Sequence, residues 1–279
     1  MEYRLMAVDM DNTLLNRNRT ISQGNEQAIR RALAAGKQVV LSTGRAIGEM
    51  QDYADLLPLF HYAICSNGAC IYDLWEKKPL YILPMVWEET ERILRETRGQ
   101  DVMVQTILQN QSYVDQPDSS TMDYYHMGNF QAVYDGCARW FPGLVEAVLR
   151  YHTPVEKLNL YYREMADREA MWEKLRRRHL AVTDSSVNQI IEIGHEDATK
   201  GKCLARFCRM MDIPLEAAIG IGDSLNDLTM LQTAGLSVAM ENGCVEAKAA
   251  ADVIAPDCDR DGVAAIIEQY LLDSRRVRG

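Results

Sequence analysis

The chain lacks the features that mark several large classes of protein. Its 279 residues contain no apolar run near the length of a membrane-spanning helix, and the N-terminus resembles neither a signal peptide nor a transit peptide. The seven cysteines include no Cys-x-x-Cys pair and no zinc-type histidine partner. Internal repeats and low-complexity tracts are absent as well. We therefore expect a globular cytoplasmic protein whose cysteines are reduced.

Positive charge is also in short supply. Lysine and arginine number 30 against 40 aspartate and glutamate residues, which gives a formal net charge of -10. A field of this sign repels nucleic-acid backbones and anionic membranes, so we expect neither as a partner, and an anionic substrate would need local cations. Apolar residues make up 47% of the chain, which is enough for a sizeable core. A monomer and a dimer fit this composition equally well.

Strands and helices alternate at the start of the chain. The predicted elements are a strand at 5–9, a helix at 22–35, a strand at 37–42, a helix at 47–57 and a strand at 62–65. Such alternation is typical of a parallel sheet with helices on both faces. The sequence thus predicts an α/β fold with a doubly wound, Rossmann-like core. Two more strands, at 69–73 and 79–83, follow.

The rhythm changes between residues 84 and 187 and then returns. Within this segment the predicted elements are helices near 88–98 and 167–178 and strands near 102–108, 112–115 and 157–162. After it come a helix at 201–211, a strand at 217–221, a helix at 225–234, a strand at 236–240 and a helix at 263–272. This order indicates a core of residues 1–83 and 188–279 with an inserted α+β domain at 84–187.

Two carboxylates follow the first predicted strand, at the sheet edge where ligands of open α/β sheets bind. Asp9 and Asp11 are two residues apart, so extended geometry would start both side chains on one side of the chain. Two carboxylates that close repel each other unless a cation lies between them or one is protonated. Aspartate, asparagine and threonine are equally typical of an ordinary turn, so this pair alone leaves both interpretations open.

A second acidic group follows the strand predicted at 217–221. Asp223 and Asp227 are four residues apart, which would place them on one face of a first helical turn, and Asn226 adds an amide between them. Oxygen ligands without histidine or cysteine suit Mg²⁺. The alternative is an aspartate-rich helix start, favoured by capping and by the helix dipole. Leu225 replaces the third glycine of a dinucleotide-binding motif, which argues against that interpretation.

Groups that suit a phosphoryl anion stand at two further strand ends. Thr43, Gly44 and Arg45 follow the second strand, and Lys200 opens a helix. Taken singly, Thr43 can cap a helix, Arg45 can lie on the surface and Lys200 can be solvated. The joint occurrence of all four groups, in order and at strand ends, favours a common site over chance.

Residues 9–14, 42–45, 200–202 and 222–227 resemble, in order, the four motifs of the haloacid dehalogenase superfamily of phosphohydrolases. The resemblance is closer to its Cof-like subfamily with a type IIB α+β cap, and segment 84–187 corresponds to that cap by position. Residues 66–69 also resemble this subfamily, in which the asparagine lies near the substrate, although a tight turn is the alternative. Two departures stand out: Asn12 replaces a commoner glycine, and the segment 241–243 differs from the usual Gly-Asn-Ala, so Asn242 is left out of the site.

The resemblance implies a role for each matching residue. Asp9 would be the nucleophile that forms an aspartyl-phosphate, and Asp11 the general acid and base. Mg²⁺ would be bound by Asp9, Asp11 through its backbone carbonyl, Asp223 and, in the outer shell, Asp227. The implied phosphate-binding set is Thr43, Gly44, Arg45, Asn67, Lys200 and Asn226.

The sequence therefore predicts a magnesium-dependent phosphatase of small phosphorylated metabolites, such as a sugar phosphate. One rival is a phosphomutase or phosphotransferase, which would use the same motifs and pass the phosphoryl group to a second hydroxyl. The other rival is a non-catalytic phosphometabolite sensor on a degenerate core. Such a sensor would be expected to have lost a charged site residue, and here all of them are present.

Overall fold

The computed structural model describes residues 2–115, 123–125, 136–185 and 190–272. The chain forms two compact units. Unit 1 contains Met1–Gly44, Asp55–Tyr81 and Thr199–Gly279, and unit 2 contains Arg45–Ala54 and Ile82–Ala198. The units divide near residues 82 and 198, whereas the sequence placed its boundaries at 84 and 187. The predicted residue limits of a catalytic core and a cap stay a prediction.

The strands of the described residues are β1 (Leu5–Val8), β2 (Gln38–Ser42), β3 (Tyr62–Cys65), β4 (Cys70–Asp73), β5 (Lys78–Ile82), β6 (Val102–Leu108), β7 (Gln111–Val114), β8 (Arg139–Trp140), β9 (Lys157–Tyr162), β10 (Leu180–Ser185), β11 (Ile190–His195), β12 (Ala218–Gly222), β13 (Leu236–Met240) and β14 (Val253–Ala255). Their α-helices are α1 (Gln23–Ala34), α2 (Trp87–Thr97), α3 (Leu144–Tyr151), α4 (Met165–Leu175), α5 (Lys200–Met210), α6 (Leu228–Thr233), α7 (Val245–Ala250) and α8 (Gly262–Ile266). Within the described ranges, every helix is too short or too polar to cross a bilayer.

Unit 1 is built on an eight-stranded sheet in the order β14-β13-β12-β1-β2-β3-β4-β5. The pairs from β14 to β3 are parallel, and β4 runs antiparallel to β3. All residues of β1 and β12 are buried, as expected for strands covered on both faces. The chain leaves β1 toward β2 and returns to β12 on its other side, so the strand order switches direction beside β1. The predicted doubly wound α/β fold is confirmed.

Local signals and apolar packing explain the helices of unit 1. The Ser22 hydroxyl accepts a hydrogen bond from the Asn25 N–H and caps α1, and Gly36 follows its end with a φ of 77°. Leu204 and Phe207 on α5 pack against Leu5 on β1 in one buried cluster. This packing fixes the first residue of α5 close to the ends of the central strands.

Unit 2 contains a six-stranded sheet in the order β10-β11-β9-β6-β7-β8. Its pairs are antiparallel except β7 with β8. One face packs against α2, α3 and α4 through a cluster that includes Ile93, Val148, Leu160 and Met171. The opposite face carries alternate residues of β6 and β9, among them Gln105 beside Asn159. Antiparallel strands with three helices confirm the α+β character predicted for the insertion.

The helix predicted at 47–57 is wrong. Three short 3₁₀ turns, Ile47–Glu49, Gln51–Tyr53 and Leu57–Leu59, replace it. Within unit 2 the Gly48 N–H donates to the Asn110 carbonyl at 2.9 Å, and the Glu49 carboxylate accepts the Ala46 N–H at 2.8 Å. The first bond joins this segment to Asn110, a residue far away in the sequence, and such a tertiary contact is not recorded in the local pattern.

Other differences lie at short elements. The helix predicted at 225–234 begins as a 3₁₀ turn, Leu225–Asp227, before α6, and the helix predicted at 263–272 is α8 followed by the wider turn Ile267–Leu271. The sequence analysis did not place the following elements: β8, α3, β10, β11, α7 and β14. These elements have two to eight residues, a length at which hydrophobic periodicity carries little information.

Candidate active site

The predicted site residues of unit 1 stand where neighbouring parallel strands end. Asp9 follows β1, Thr43 follows β2 and Asp223 follows β12. The Asp9 N–H donates to the Ile221 carbonyl at 3.0 Å, so Asp9 extends the strand ladder by one residue. Since β1 lies between β2 and β12, these three residues share one edge of the sheet.

Lys200 is a buried cation between two carboxylates. Its side chain is 0% exposed, and its Nζ donates to Asp9 Oδ1 at 2.7 Å and to Asp227 Oδ1 at 2.6 Å. Burial lowers the pKa of Lys200, but the charges of Asp227 and Asp9 more than offset this effect, and the pKa is raised overall. Lys200 is therefore a fixed positive charge, and the solvated alternative is excluded.

Three carboxylates surround this cation. Asp9, Asp223 and Asp227 each offer an oxygen within 4.8 Å of the other two. Burial and then the charge of Asp227 raise the pKa of Asp223 to about 7. Burial also raises the pKa of Asp9, against the attraction of Lys200. We call these four residues the carboxylate cluster.

The chemistry of the carboxylate cluster fits a divalent cation. Three acidic side chains face one ammonium group, so full ionisation leaves an excess of two negative charges. Burial is the largest cause of the raised pKa values of Asp9 and Asp223, and the neighbouring carboxylates raise both pKa values further. Carboxylate oxygens without nitrogen or sulfur donors are the ligands that hard cations such as Mg²⁺ prefer.

Asp227 reaches the cluster by a turn, not from one helical face as predicted. Ser224 is extended, and the chain becomes helical only after it. Asp227 Oδ2 accepts hydrogen bonds from the N–H groups of Asp223 at 3.0 Å and Ser224 at 3.1 Å. A Cβ at Gly222 would lie 2.3 Å from the Asp227 carboxyl carbon, so only glycine fits there. The aspartate-rich turn is both a cap and part of the cluster.

Asp11 lies in the turn that follows Asp9. This turn, residues 10–15, is closed by the Leu14 N–H to the Asp9 carbonyl and by the Leu15 N–H to the Met10 carbonyl. Asp11 is half-buried, and its negative charge contributes to the raised pKa of Asp223. Asn12 has a φ of 58°, which explains why glycine is common at this position. We call residues 10–15 the nucleophile loop, after the role that the sequence predicts for the adjacent Asp9.

A second group of predicted residues forms beside α5 and α6. Asn226 Nδ2 donates to Asn67 Oδ1 at 3.1 Å, and the Asn67 N–H donates to the Thr43 carbonyl at 3.1 Å. Ser66, Asn67 and Gly68 all have positive φ, so the tight turn that was the alternative interpretation of residues 66–69 is present. A Cβ at Gly44 would lie 2.9 Å from Asn67 Oδ1. The structure thus brings Thr43, Gly44, Asn67 and Asn226 together.

Arg45 is placed differently from the other predicted residues. It falls in unit 2, where its guanidinium lies 5.4 Å from the ring centre of Tyr53 and donates to the Glu49 carbonyl at 3.4 Å. Its predicted role in phosphate binding stays a prediction.

Two residues near the carboxylate cluster were missed from the sequence. Thr13 is fully buried, with its hydroxyl 3.5 Å from Asp223 Oδ1. Thr229 accepts the Gly201 N–H at 3.1 Å, and a Cβ at Gly201 would lie 2.1 Å from the Thr229 carbonyl. This close approach of α5 and α6 fixes Lys200 beside Asp227. The glycine after the lysine was the available signal for a close backbone contact.

Residues 6–267 match the family model of the haloacid dehalogenase-like hydrolases. The chain therefore belongs to this family, and the Cof-like resemblance of its motifs is confirmed. The family generally uses a divalent metal, with which the carboxylate cluster is consistent.

The chain matches named phosphatases over nearly its whole length. The chain is 29% identical over 291 residues to phosphatase YwpJ of Bacillus subtilis, with 96% of this chain and 100% of the relative covered. It is 30% identical over 279 residues to 5-amino-6-(5-phospho-D-ribitylamino)uracil phosphatase YcsE of the same organism, with 98% and 97% covered. The protein is accordingly a phosphoric monoester hydrolase of the haloacid dehalogenase type.

Solved structures share the fold. A haloacid dehalogenase-like hydrolase from B. subtilis has a TM-score of 0.84 at 26% identity, with 96% of this chain and 100% of that chain covered. A subclass IIB sugar phosphatase has a TM-score of 0.81 at 20% identity, with 96% and 98% covered. The second likeness supports the fold alone.

Proposed function

We propose that this protein hydrolyses small phosphorylated metabolites with Mg²⁺ bound, through an aspartyl-phosphate on Asp9. The observation that carries the proposal is the buried Lys200, shared by Asp9 and Asp227 inside a cluster with excess negative charge. Buried ion pairs contribute little to folding stability. A buried cation paired with an acidic residue at a strand end is therefore better explained by a catalytic role than by a stabilising one.

Asp9 is the proposed nucleophile. Lys200 binds Asp9 Oδ1, so the orientation of the carboxylate is fixed, and its second oxygen can attack phosphorus. When bound, Mg²⁺ would be held by Asp9, Asp223 and the Asp11 carbonyl, with Asp227 behind them, and would offset the charge of the nucleophile and the phosphate. As the Asp9 oxygen bonds to phosphorus, the bond from phosphorus to the substrate oxygen breaks.

Asp11 is the proposed proton carrier. It would give its proton to the departing alkoxide oxygen and then take a proton from the water that attacks the phosphoryl group on Asp9. The second step restores Asp9 and releases inorganic phosphate. The position of Asp11 in the nucleophile loop, half-buried and two residues after Asp9, supports this role.

The phosphoryl oxygens would be held by donors from three elements. Lys200 supplies charge, Thr43 and Gly44 follow β2, and Asn226 carries an amide already oriented by Asn67. Such positioning and charge stabilisation are the main sources of catalysis in phosphoryl transfer.

The proposed substrates are small metabolites in the cytoplasm. A relative that covers nearly the whole chain acts, by its name, on a phosphorylated ribitylamino-uracil, which supports this substrate class. The net charge of -10 disfavours nucleic acid. All seven cysteines are among the described residues and none of them forms a disulfide bond, which suits a reducing compartment.

A phosphate-release screen over phosphorylated metabolites, with Mg²⁺ or with EDTA, tests this function. We expect magnesium-dependent release of inorganic phosphate by the wild type and none by Asp9→Asn. Asp212→Asn is the matched control, because Asp212 is exposed and its φ of 51° suits asparagine. Full activity of the folded Asp9→Asn protein would falsify the nucleophile assignment. Transfer of phosphate to a second hydroxyl without release would indicate a phosphotransferase instead.

A further inference from the structure

Asn242 is in contact with the nucleophile loop, although the sequence analysis left it out of the site. It follows β13, and its Nδ2 donates to the Asn12 carbonyl at 2.8 Å. Its Oδ1 accepts the Cys258 N–H at 2.9 Å. A carbonyl only accepts and an N–H only donates, so the two partners fix the orientation of the amide.

The segment that carries Cys258 is also bonded to Arg17, which lies just after the nucleophile loop in the sequence. Cys258 is fully buried in the 3₁₀ turn Cys258–Arg260. Asp257 and Asp259 flank it, and both pair with Arg17, with an Arg17 Nη2 to Asp257 Oδ2 distance of 2.8 Å. The Arg17 N–H also donates to Asp259 Oδ1 at 3.1 Å. Asn242 is thus bonded to a turn that is itself held by ion pairs with Arg17.

The contact falls at the apex of the loop. At the ends of the loop the carbonyls of Asp9 and Met10 accept hydrogen bonds from the N–H groups of Leu14 and Leu15, whereas the carbonyl of Asn12 accepts its bond from Asn242. Asn12 adopts a positive φ that asparagine accepts but does not require. The hydrogen bond from Asn242 therefore restrains the peptide between Asn12 and Thr13, and through Asn12 it restrains the direction of the preceding residue, Asp11.

From this geometry we infer that Asn242 is a positioning residue for Asp11, a role that rests on the proposed function. Asn242 acts through the Asn12 carbonyl and touches no reacting atom. Asparagine is suited to this place because a donor and an acceptor are needed on one short side chain. The segment 241–243, which departs from the usual pattern in its flanking residues, keeps the residue that holds the loop.

Two substitutions distinguish the hydrogen bond of Asn242 to the Asn12 carbonyl, the loop contact, from its hydrogen bond to the Cys258 N–H, the support contact. Asn242→Ala removes both hydrogen bonds. Asn242→Asp keeps an acceptor for the Cys258 N–H but sets a carboxylate oxygen against the Asn12 carbonyl, so it loses the loop contact alone. If Asn242 merely supported the fold, the aspartate would be the milder change. A positioning role predicts that the aspartate is at least as damaging to turnover as the alanine.

Ser237→Ala is the matched control. The Ser237 hydroxyl donates to Asp252 Oδ2 at 2.7 Å and accepts the Asp252 N–H at 2.9 Å, so this substitution also removes two side-chain hydrogen bonds. Ser237 lies on β13, the strand that leads to Asn242, and has no hydrogen bond to the nucleophile loop among the described residues. We expect a similar loss of thermal stability in Ser237→Ala and unchanged kcat.

The experiment measures kcat and KM for p-nitrophenyl phosphate with Mg²⁺, together with hydrogen exchange of peptides covering residues 9–16. We expect kcat to fall about tenfold in Asn242→Ala and at least as far in Asn242→Asp, with KM within about twofold, since misplaced catalytic groups affect turnover most. Exchange in residues 9–16 should be faster in both variants and unchanged in the control.

Unchanged exchange in the nucleophile loop of both variants would overturn the inference whatever the activity, and so would wild-type kcat in Asn242→Asp. A wild type that releases no phosphate from any ester contradicts the proposed function instead, and the exchange measurement then still decides whether Asn242 holds the loop.

Discussion

Each compact unit contains a cluster of buried polar side chains, and the two clusters differ in charge. In unit 1 the carboxylate cluster sets three acidic groups against one lysine. In unit 2 Gln105 is the centre of a network that we call the amide cluster. Gln105 Nε2 donates to Glu49 Oε1 and Ser112 Oγ, both at 2.6 Å, and Gln105 Oε1 accepts from Asn159 Nδ2 at 2.6 Å and from the Tyr161 hydroxyl at 3.3 Å.

The difference shows how a functional cluster can be told from a structural one. Gln105 satisfies its donors and acceptor within unit 2, and the Glu49 carboxylate bonded to it also accepts the Ala46 N–H, so neutral donors hold this network and it specifies packing. The carboxylate cluster retains a charge that its own residues do not balance, and burial, together with the neighbouring negative charge, raises the pKa values of Asp9 and Asp223. A buried cluster that needs an external ion to reach balance is a site prepared for a ligand.

The largest expected effect comes from removing the single cation of the carboxylate cluster. Lys200→Met should lower kcat by about 10³-fold or more, because the charge that stabilises the phosphoryl group is lost. It should also lower stability by about 3–5 kcal/mol, because Asp9 and Asp227 remain buried without their partner. Phosphate release and denaturant unfolding measure the two effects.

Lys202→Met on the same helix is the control for this substitution, since Lys202 is exposed. Turnover by Lys200→Met within tenfold of the wild type would contradict the role given to the lysine, and with it the distinction between the clusters.

The next effect is a dependence of stability on pH in the metal-free protein. The folded chain keeps Asp223 protonated up to about pH 7, whereas the unfolded chain ionises it near its ordinary pKa of 3.8. Unfolding therefore releases protons between these values, so stability present at low pH is lost as pH rises toward 7, by about 2–4 kcal/mol.

Thermal unfolding in EDTA from pH 4.5 to pH 7.5 measures this loss in the metal-free protein. Excess Mg²⁺ should raise the midpoint more at pH 7.5 than at pH 4.5, because the cation binds the ionised carboxylates. A midpoint that rises with pH in EDTA would contradict the charge imbalance described above.

The amide cluster should respond to a substitution in a different way. Gln105→Leu leaves Glu49 and Asn159 without their partner, which should cost about 1–3 kcal/mol of stability. Hydrogen exchange should become faster in β6 and β9, and the effect of Mg²⁺ on the unfolding midpoint should be the same as in the wild type. If this variant lost its response to Mg²⁺, the two clusters would not be independent in function.

The sequence predicted which residues form the carboxylate cluster more accurately than it predicted the local structure that positions them. Asp9, Lys200 and Asp223 were predictable because their motifs occur together, in order and at the ends of predicted strands. A purely structural role can explain each motif singly but not all of them at once. The convergence of Asp227 was predicted on the wrong ground, since a turn and not a helical face brings it to Asp223.

Contacts between residues distant in sequence could not be predicted from local sequence patterns. The pattern at 47–57 suits a helix, but the structure has short turns there, and the Gly48 N–H donates to the distant Asn110 carbonyl. Asn242 meets Asn12 across 230 residues, and no local pattern records such a pair. The amide cluster was missed for the same reason, because Glu49 and Gln105 are partners only after folding.

The smallest expected effect concerns Thr13, the neighbour of the carboxylate cluster that carries no charge. Its hydroxyl lies 3.5 Å from Asp223 Oδ1, a length at which a hydrogen bond is weak. Thr13→Val keeps the shape of the buried side chain and removes only this contact, so kcat should change by less than about threefold and stability by about 1 kcal/mol or less. Thr13→Ala, which also removes a buried methyl group, should be the less stable of the two. A tenfold loss of kcat in Thr13→Val would mean that the hydroxyl orients Asp223, and that neutral neighbours, as well as the charge imbalance, govern this cluster.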